Sequence, residues 1–407
     1  MNNFYTYFIA EERYLSIIGI FLIFAIAFLF SEKRSKINYR SIGTALLIQI
    51  LVGLFILKTS IGSITLGYLA HGISRLYDCS QAGARFIFGS LADAAGPWGP
   101  IFLIKVAPAI IFFCALMALL NYLGIIQLLV KGITMLLCPI LGTSGAETLC
   151  ATANSVLGSI EASFLIKQYL ANATRSEMFV ILVSGMATIS AALFAVYGSF
   201  GVPMIHILCS SFMAVPGSIL IAKILIPETE KPATMKVSDI ECKKTSSNVF
   251  DAIASGTSDG LAIAAGITAM LIAFLSLIAV INNILLATCG VSLDFIFGKL
   301  FASVARLLSI SSVESEKAGI LLGQKLAINE FVAYVNFSKF ALTERTQAIL
   351  TYALCGFANF SFIGMQIGGI GALAPSKREL LTKLGLFALL AGTLTNLLTA
   401  AIASLLI

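Results

Sequence analysis

The chain has 407 residues, of which 58% are hydrophobic and 11% charged, with a net charge of +6. Soluble proteins carry about 25% charged residues. With a mean hydropathy of +0.98, the composition excludes a soluble enzyme, a nucleic-acid-binding protein and a disordered chain, and marks an integral membrane protein. Its basic residues read as topology markers. The eight cysteines include no CxxC pair and no metal-ligand spacing, so no disulfide framework is expected. Glu11 and Glu12 precede the first apolar run, where a cleaved leader would be basic, so no cleaved signal peptide is expected.

A membrane-spanning helix needs about 20 apolar residues. Uncharged runs occur at 14–31, 41–57, 106–130, 178–222, 260–293, 346–376 and 384–407. The run 178–222 is too long for one crossing, and Gly198, Gly201 and Pro203 lie where a turn is easiest. It reads as two helices, giving eight spans. Residues 59–100 are more polar and end in Gly96-Pro97-Trp98-Gly99-Pro100, which predicts interfacial helices and a turn. Two apolar stretches, 132–146 and 148–160, are short and separated by Glu147, and the region 300–340 is broken by several charges. Both regions read as re-entrant helical hairpins.

Residues 32–40 hold Lys33, Arg34, Lys36 and Arg40 against Glu32 alone, which places that loop in the cytoplasm. Eight crossings then put Arg175, the 227–248 loop and Lys377-Arg378 inside, and both termini outside. An internal repeat runs through the chain at a constant offset of 169 positions, pairing Glu147 with Glu316, Glu161 with Glu330, and Thr174 with Thr343. In each half a hairpin carrying a carboxylate precedes a long helix. The topology makes the repeat inverted, a mark of secondary transporters. The expected organisation is a scaffold of helices and interfacial helices over 1–130, a first repeat over 131–226, a cytoplasmic linker over 227–249, a linking helix over 250–299 that also serves the scaffold, and a second repeat over 300–407.

Glu161 and Glu330 are ionisable residues at membrane depth, where they face a cavity and a partner, unless each marks the wet end of a helix. Their equivalent repeat positions favour the first reading. Carboxylates suit a hydroxyl-bearing substrate because each accepts several hydrogen bonds. Asn359 either binds a ligand or glues helices together. Asn154 and nearby carbonyls suit sodium, a hard cation, or form a polar packing contact. His71 and His206 lie off the acid-bearing repeat elements. The spacing of Gly364 with Gly368, and of Gly369 with Ala372, predicts close helix packing. There is no Walker motif, no kinase signature and no His/Glu zinc motif, so no cofactor and no covalent chemistry is expected.

With Ala107-Pro108-Ala109, Asn121-Tyr122-Leu123-Gly124, Ile328-Asn329-Glu330-Phe331-Val332-Ala333-Tyr334 and Cys355-Gly356-Phe357-Ala358-Asn359 in this order, most of the chain resembles the concentrative nucleoside transporters. The resemblance implies an all-α fold of eight spanning helices and two opposed re-entrant hairpins, assembled as a homotrimer in the bacterial inner membrane. It implies sodium-coupled nucleoside import by an elevator-like movement, with a proton-coupled nucleoside symporter, or a same-fold carrier of a different nucleoside-like solute, as the alternatives. A channel or receptor is a more distant rival, opposed by the inverted repeat, and an intramembrane enzyme lacks any nucleophile–base pair. By the resemblance Gly158, Ser159 and Glu161 line the nucleoside site, Glu330 and Asn359 hold the ribose hydroxyls, and Phe357 lies beside the base. Asn154, the carbonyls of Leu157 and Ile189, and Thr188 hold sodium.

The chain departs from the family pattern at three of these places. Where the first hairpin has Gly-Gln-Thr/Ser-Glu, this chain has Gly158-Ser159-Ile160-Glu161. Where the family has Asn-x-Ser-Ser, this chain has Asn359-Phe360-Ser361-Phe362. A base-contacting glutamine is therefore a serine, and a ribose-contacting hydroxyl is the phenyl ring of Phe362. Loss of one buried hydrogen-bond partner costs about 1–3 kcal/mol. A shifted base preference, or weaker dependence on one ribose hydroxyl, is expected.

Overall fold

The computed structural model describes residues 7, 9, 11–92, 101–234 and 246–407. The turn expected at 96–100 and residues 235–245 of the 227–248 loop, including Lys236, Lys243 and Lys244, lie outside the described residues.

The described chain is helical and contains no strand. Helices α1 (Tyr14–Leu29), α2 (Tyr39–Lys58), α3 (Ser60–Phe88) and α4 (Phe102–Tyr122) come first. Most of the segment expected to be interfacial is one long helix, α3, started by the Thr59 hydroxyl, which accepts from the Gly62 amide. The run at 106–130 is not one span: Gly124, at φ +82°, ends it. That left-handed geometry suits glycine because it has no Cβ.

The first hairpin descends through α5 (Ile125–Leu141), turns at Gly142–Ser144, and returns through α6 (Gly145–Asn154) and α7 (Ser159–Leu165), followed by the short α8 (Lys167–Leu170). Glu147 does not separate the limbs. It closes a capping box with Ser144 at the start of the second limb. The next apolar run is α9 (Arg175–Ala187), α10 (Ala191–Gly198) and α11 (Met204–Leu225), with the expected turn at Gly201. The linking helix α12 (Val249–Cys289) is 41 residues long. The second hairpin is α13 (Leu293–Arg306), α14 (Ser312–Ala327) and α15 (Glu330–Phe337). The last run is α16 (Glu344–Leu354), α17 (Phe360–Leu373) and α18 (Arg378–Leu406).

The two runs at 178–222 and 346–376 carry an interruption that hydropathy does not reveal. Thr188–Ser190 divides α9 from α10, and Cys355–Asn359 divides α16 from α17. The repeat survives in the caps. Thr174 and Thr343 each accept from the amide three residues on, starting α9 and α16. Ser190 and Asn359, again 169 positions apart, cap α10 and α17.

One end of the molecule gathers Glu32, paired with Arg175 at 2.6 Å, the Leu225 carbonyl, and Lys377, which donates to the Ala173 carbonyl at 2.7 Å. The first hairpin turn lies there, with the Gly145 amide donating to the Thr234 carbonyl. The other end gathers the chain termini and the second hairpin turn. Arg13 donates to the Ile407 carbonyl at 3.1 Å, and Arg306 pairs with Glu12 at 2.5 Å. Helix α18 runs from one cluster to the other, so the hairpins enter from opposite ends.

Six described helical segments, the α9–α10 run among them, are long and apolar enough to cross a membrane, and α1, α5 and α17 are shorter apolar helices. Their burial divides them. The apolar windows of the α9–α10 run and of α11 are 89% and 78% buried, whereas that of α12 is 6% buried. Helices α4 and α12 pair closely because a Cβ at Gly256 would lie 2.6 Å from Ala118 Cβ, and one at Gly260 would lie 2.7 Å from Ile111 Cα. The close packing expected at Gly364 and Gly368 is not there: a Cβ at either would meet nothing within 4 Å among the described residues. Helices α1 and α2 pack against α11 and α18 rather than against α4 and α12.

Candidate functional site

The two interruptions cross. The Phe357 amide donates to the Thr188 carbonyl at 3.3 Å. Asn396 of α18 donates through Nδ2 to the carbonyls of Ala187, at 2.8 Å, and Cys355, at 2.9 Å. One amide thus satisfies the carbonyl ends of both broken helices, which are otherwise orphaned inside the protein. A Cβ on Gly356 would lie 2.4 Å from Asn396 Oδ1 and 2.9 Å from the Ala187 carbonyl oxygen. Gly356→Ala is therefore expected to destabilise the protein by about 1–3 kcal/mol through overpacking, read as a lowered melting temperature in detergent.

Around the crossing lie Glu330 and Asn359, which are 4% and 2% exposed. Glu330 Oε2 accepts from Asn359 Nδ2 at 3.0 Å, and its Oε1 accepts from the Tyr197 hydroxyl at 3.0 Å. Asn359 Oδ1 accepts from the Phe362 amide and the Ser361 hydroxyl. The pair expected to hold ribose is thus in direct contact. Tyr197 was not legible as its partner, because an interior tyrosine in an apolar run reads as core. The rings of Phe357 and Phe362 stack with centroids 4.7 Å apart.

Glu161 lies apart from this pair. It lines a cavity of about 370 Å³ with Gly158, Asn121, Gln127, Ser190 and Asp259. The cavity separates the α4–α12 pair from the first hairpin. A Cβ on Gly158 would lie 2.2 Å from Glu161 Oε2, so the carboxylate occupies the space that glycine leaves. Ser159 does not line the cavity. Its hydroxyl accepts from Gln366 Nε2 at 3.0 Å, and Gln366 also donates to the Leu182 carbonyl. Ile160 packs on Gly369, 2.6 Å from where a Cβ there would lie. Gln366, which sequence reasoning passed over, is buried with its Oε1 unpartnered.

Two of the residues expected to hold sodium, Asn154 and Thr188, both bond Ser184 beside the break in the first hairpin. Asn154 donates through Nδ2 to the Ser184 hydroxyl at 2.8 Å, while its buried Oδ1 has no hydrogen-bond partner. The Thr188 hydroxyl donates to the Ser184 carbonyl at 2.8 Å. The Val156 carbonyl accepts from the Ala191 amide, which ties residues 155–158 to the 188–190 break holding Ile189. Leu157 lies in that same turn. Among the described residues no three His, Cys, Asp or Glu side chains cluster to hold a metal. An orphaned amide oxygen among hydroxyls and carbonyls instead fits a hard monovalent cation.

Three consecutive segments match known sequence families: residues 18–91 and 206–404 match the N- and C-terminal parts described as "Na+ dependent nucleoside transporter", and residues 103–204 match "Nucleoside recognition". The nucleoside permease NupC of Helicobacter pylori is 39% identical, with 96% of this chain and 97% of that protein aligned. The putative nucleoside permease NupX of Escherichia coli is 37% identical over 95% and 97%. Mouse solute carrier family 28 member 3 is 31% identical over 98% of this chain and 59% of that protein. The inward-facing, substrate-bound structure of CNTnw superposes with a TM-score of 0.92 at 38% identity, covering 96% of this chain and 97% of that one. The chain is a multi-pass membrane protein and no enzyme: it belongs to the concentrative nucleoside transporter family.

Proposed function

We propose that the protein is a sodium-coupled nucleoside importer of the bacterial inner membrane. The observation that carries this reading is the buried Glu330–Asn359 pair at the crossing of the two broken helices. Each Glu330 oxygen has an internal partner. Ribose hydroxyls replace the Tyr197 hydroxyl as donors to the carboxylate, and Asn359 orients the sugar. Phe357 lies beside the base. Gly158 and Glu161 complete the site from the first hairpin, and Ser159 acts on it through Gln366. Sodium binds the free Asn154 Oδ1, with the carbonyls of Leu157 and Ile189 and with Thr188 beside them.

The cavity between the α4–α12 pair and the hairpin supports a transport body moving against a scaffold. We assign α1 and α2 to the moving side, because they pack on α11 and α18. The thin burial of α12 supports its serving as a trimer-forming and lipid-facing helix. Eight crossings with both termini outside agree with the two end clusters. Labelled-uridine counterflow in proteoliposomes tests the substrate: unlabelled uridine or adenosine preloaded inside accelerates labelled entry if the site takes nucleosides. Unchanged entry with folded trimer present rejects it.

Phe362 stands where the family has a hydroxyl. Phe362→Ser is expected to raise the preference for uridine over its deoxyribose analogue by about fivefold, the worth of one net hydrogen bond. The ratio of the two uptake efficiencies measures it.

A further inference from the structure

The inverted repeat builds two matching sets of carbonyl helix ends, and they are filled differently. In the first half the relevant end is the last turn of α9. There Asn154, from the hairpin limb α6, reaches Ser184 and keeps Oδ1 unpartnered. The repeat mate of Ser184 is Ala353, in the last turn of α16. Its carbonyl accepts from Lys325 Nζ at 2.8 Å, and the same ammonium donates to Asn396 Oδ1 at 2.7 Å.

Lys325 comes from α14, the limb equivalent to the one that carries Asn154. It is 4% exposed. Among the described residues it has no salt-bridge partner, and Glu330 opens the next helix, α15, five positions on. A lysine this deep is costly unless something about it rewards a positive charge. The reward is the negative end of a helix, together with a carboxylate in the same hairpin. Those are also the requirements of a bound monovalent cation. Beside the ammonium lies a cavity of about 60 Å³, lined by Ala353, Ala358 and Thr393 among others.

We propose that Lys325 is a tethered cation, occupying the repeat mate of the ion place around Asn154. The fold thus offers two cation places, and this chain fills one of them with its own side chain. Lys325 is a positioning residue: it fixes a positive charge in the hairpin that carries Glu330 and holds the crossing through Asn396, without touching substrate. The assignment of the first place to sodium rests on the function proposed above, whereas the tether is testable without it.

The test is uridine uptake by the full chain in proteoliposomes, with three variants checked as monodisperse and folded. Lys325→Met fills the space without charge and is expected to lose uptake by roughly tenfold or more at every cation concentration. Lys325→Ala opens the space. Its uptake is expected to return to within about threefold of the unmutated chain, either in high sodium, with the Hill coefficient for sodium rising from about 1 to about 2, or in millimolar methylammonium. Lys325→Ser gives the same readout should the alanine variant not fold. Normal uptake by Lys325→Met, or failure of both cations to restore the shortened variants, overturns the tether. If the unmutated chain is indifferent to sodium, the sodium reading fails and methylammonium alone decides: restoration keeps the tethered charge, and no restoration removes it.

Discussion

Glu330→Gln is expected to lower the efficiency of uridine uptake by about 10- to 100-fold while the protein remains folded. A hydrogen bond to a charged acceptor is worth about 1.5–3 kcal/mol, and roughly 1.4 kcal/mol is a factor of ten. Glutamine keeps the size of the side chain and still accepts through one oxygen, so the Asn359 or Tyr197 contact survives in part. The lost charge bears on the sugar, whose hydroxyls need an acceptor that is not already a donor. Lys236→Gln, in the segment expected to link the two repeats, is the control and is expected to leave uptake unchanged. Transport kinetics of the two variants in proteoliposomes measure the difference, and equal uptake removes Glu330 from the site.

Asn154→Ala is expected to raise the sodium concentration for half-maximal uptake by about tenfold, with the apparent affinity for uridine nearly unchanged once sodium saturates. The variant removes the one buried amide oxygen that the hairpin break leaves without a donor. It also removes the bond to the Ser184 hydroxyl. A hard cation loses a ligand, which costs about the same as a charge-assisted hydrogen bond. A packing role alone would lower the melting temperature without shifting the sodium curve.

Much of the architecture was legible because charge and apolar length report on a membrane directly. Short apolar stretches broken by charges marked the hairpins, and the acids at equivalent positions of the repeat pointed to Glu161 and Glu330. What was not legible is the break inside an apolar run. Thr188–Ser190 and Cys355–Asn359 carry no charge, so hydropathy reads through them, and the signal lies in the caps Ser190 and Asn359. Glu147 broke the apolar pattern and was read as the divider between limbs, although it caps the second limb. The turn itself was signalled by Gly142.

The candidate site was legible unevenly for a related reason. Glu330 and Asn359 stood out as polar groups in apolar surroundings, and they touch. Tyr197, which bonds Glu330, and Gln366, which bonds Ser159, are ordinary residues in sequence and are brought in only by tertiary packing. Lys325 was read as one charge among several that interrupt the second hairpin. Its meaning comes from the carbonyl of Ala353 and the amide of Asn396, which lie 28 and 71 positions away. No local pattern encodes such contacts.

The most direct test of the central claim is uptake of radiolabelled uridine and adenosine into proteoliposomes holding the purified protein, with and without an inward sodium gradient. The account predicts accumulation of at least one nucleoside above its external concentration only when the gradient is imposed, and collapse of that accumulation when sodium is equalised across the membrane. Accumulation that ignores sodium and is abolished by a protonophore, or mere equilibration without any gradient, would contradict it.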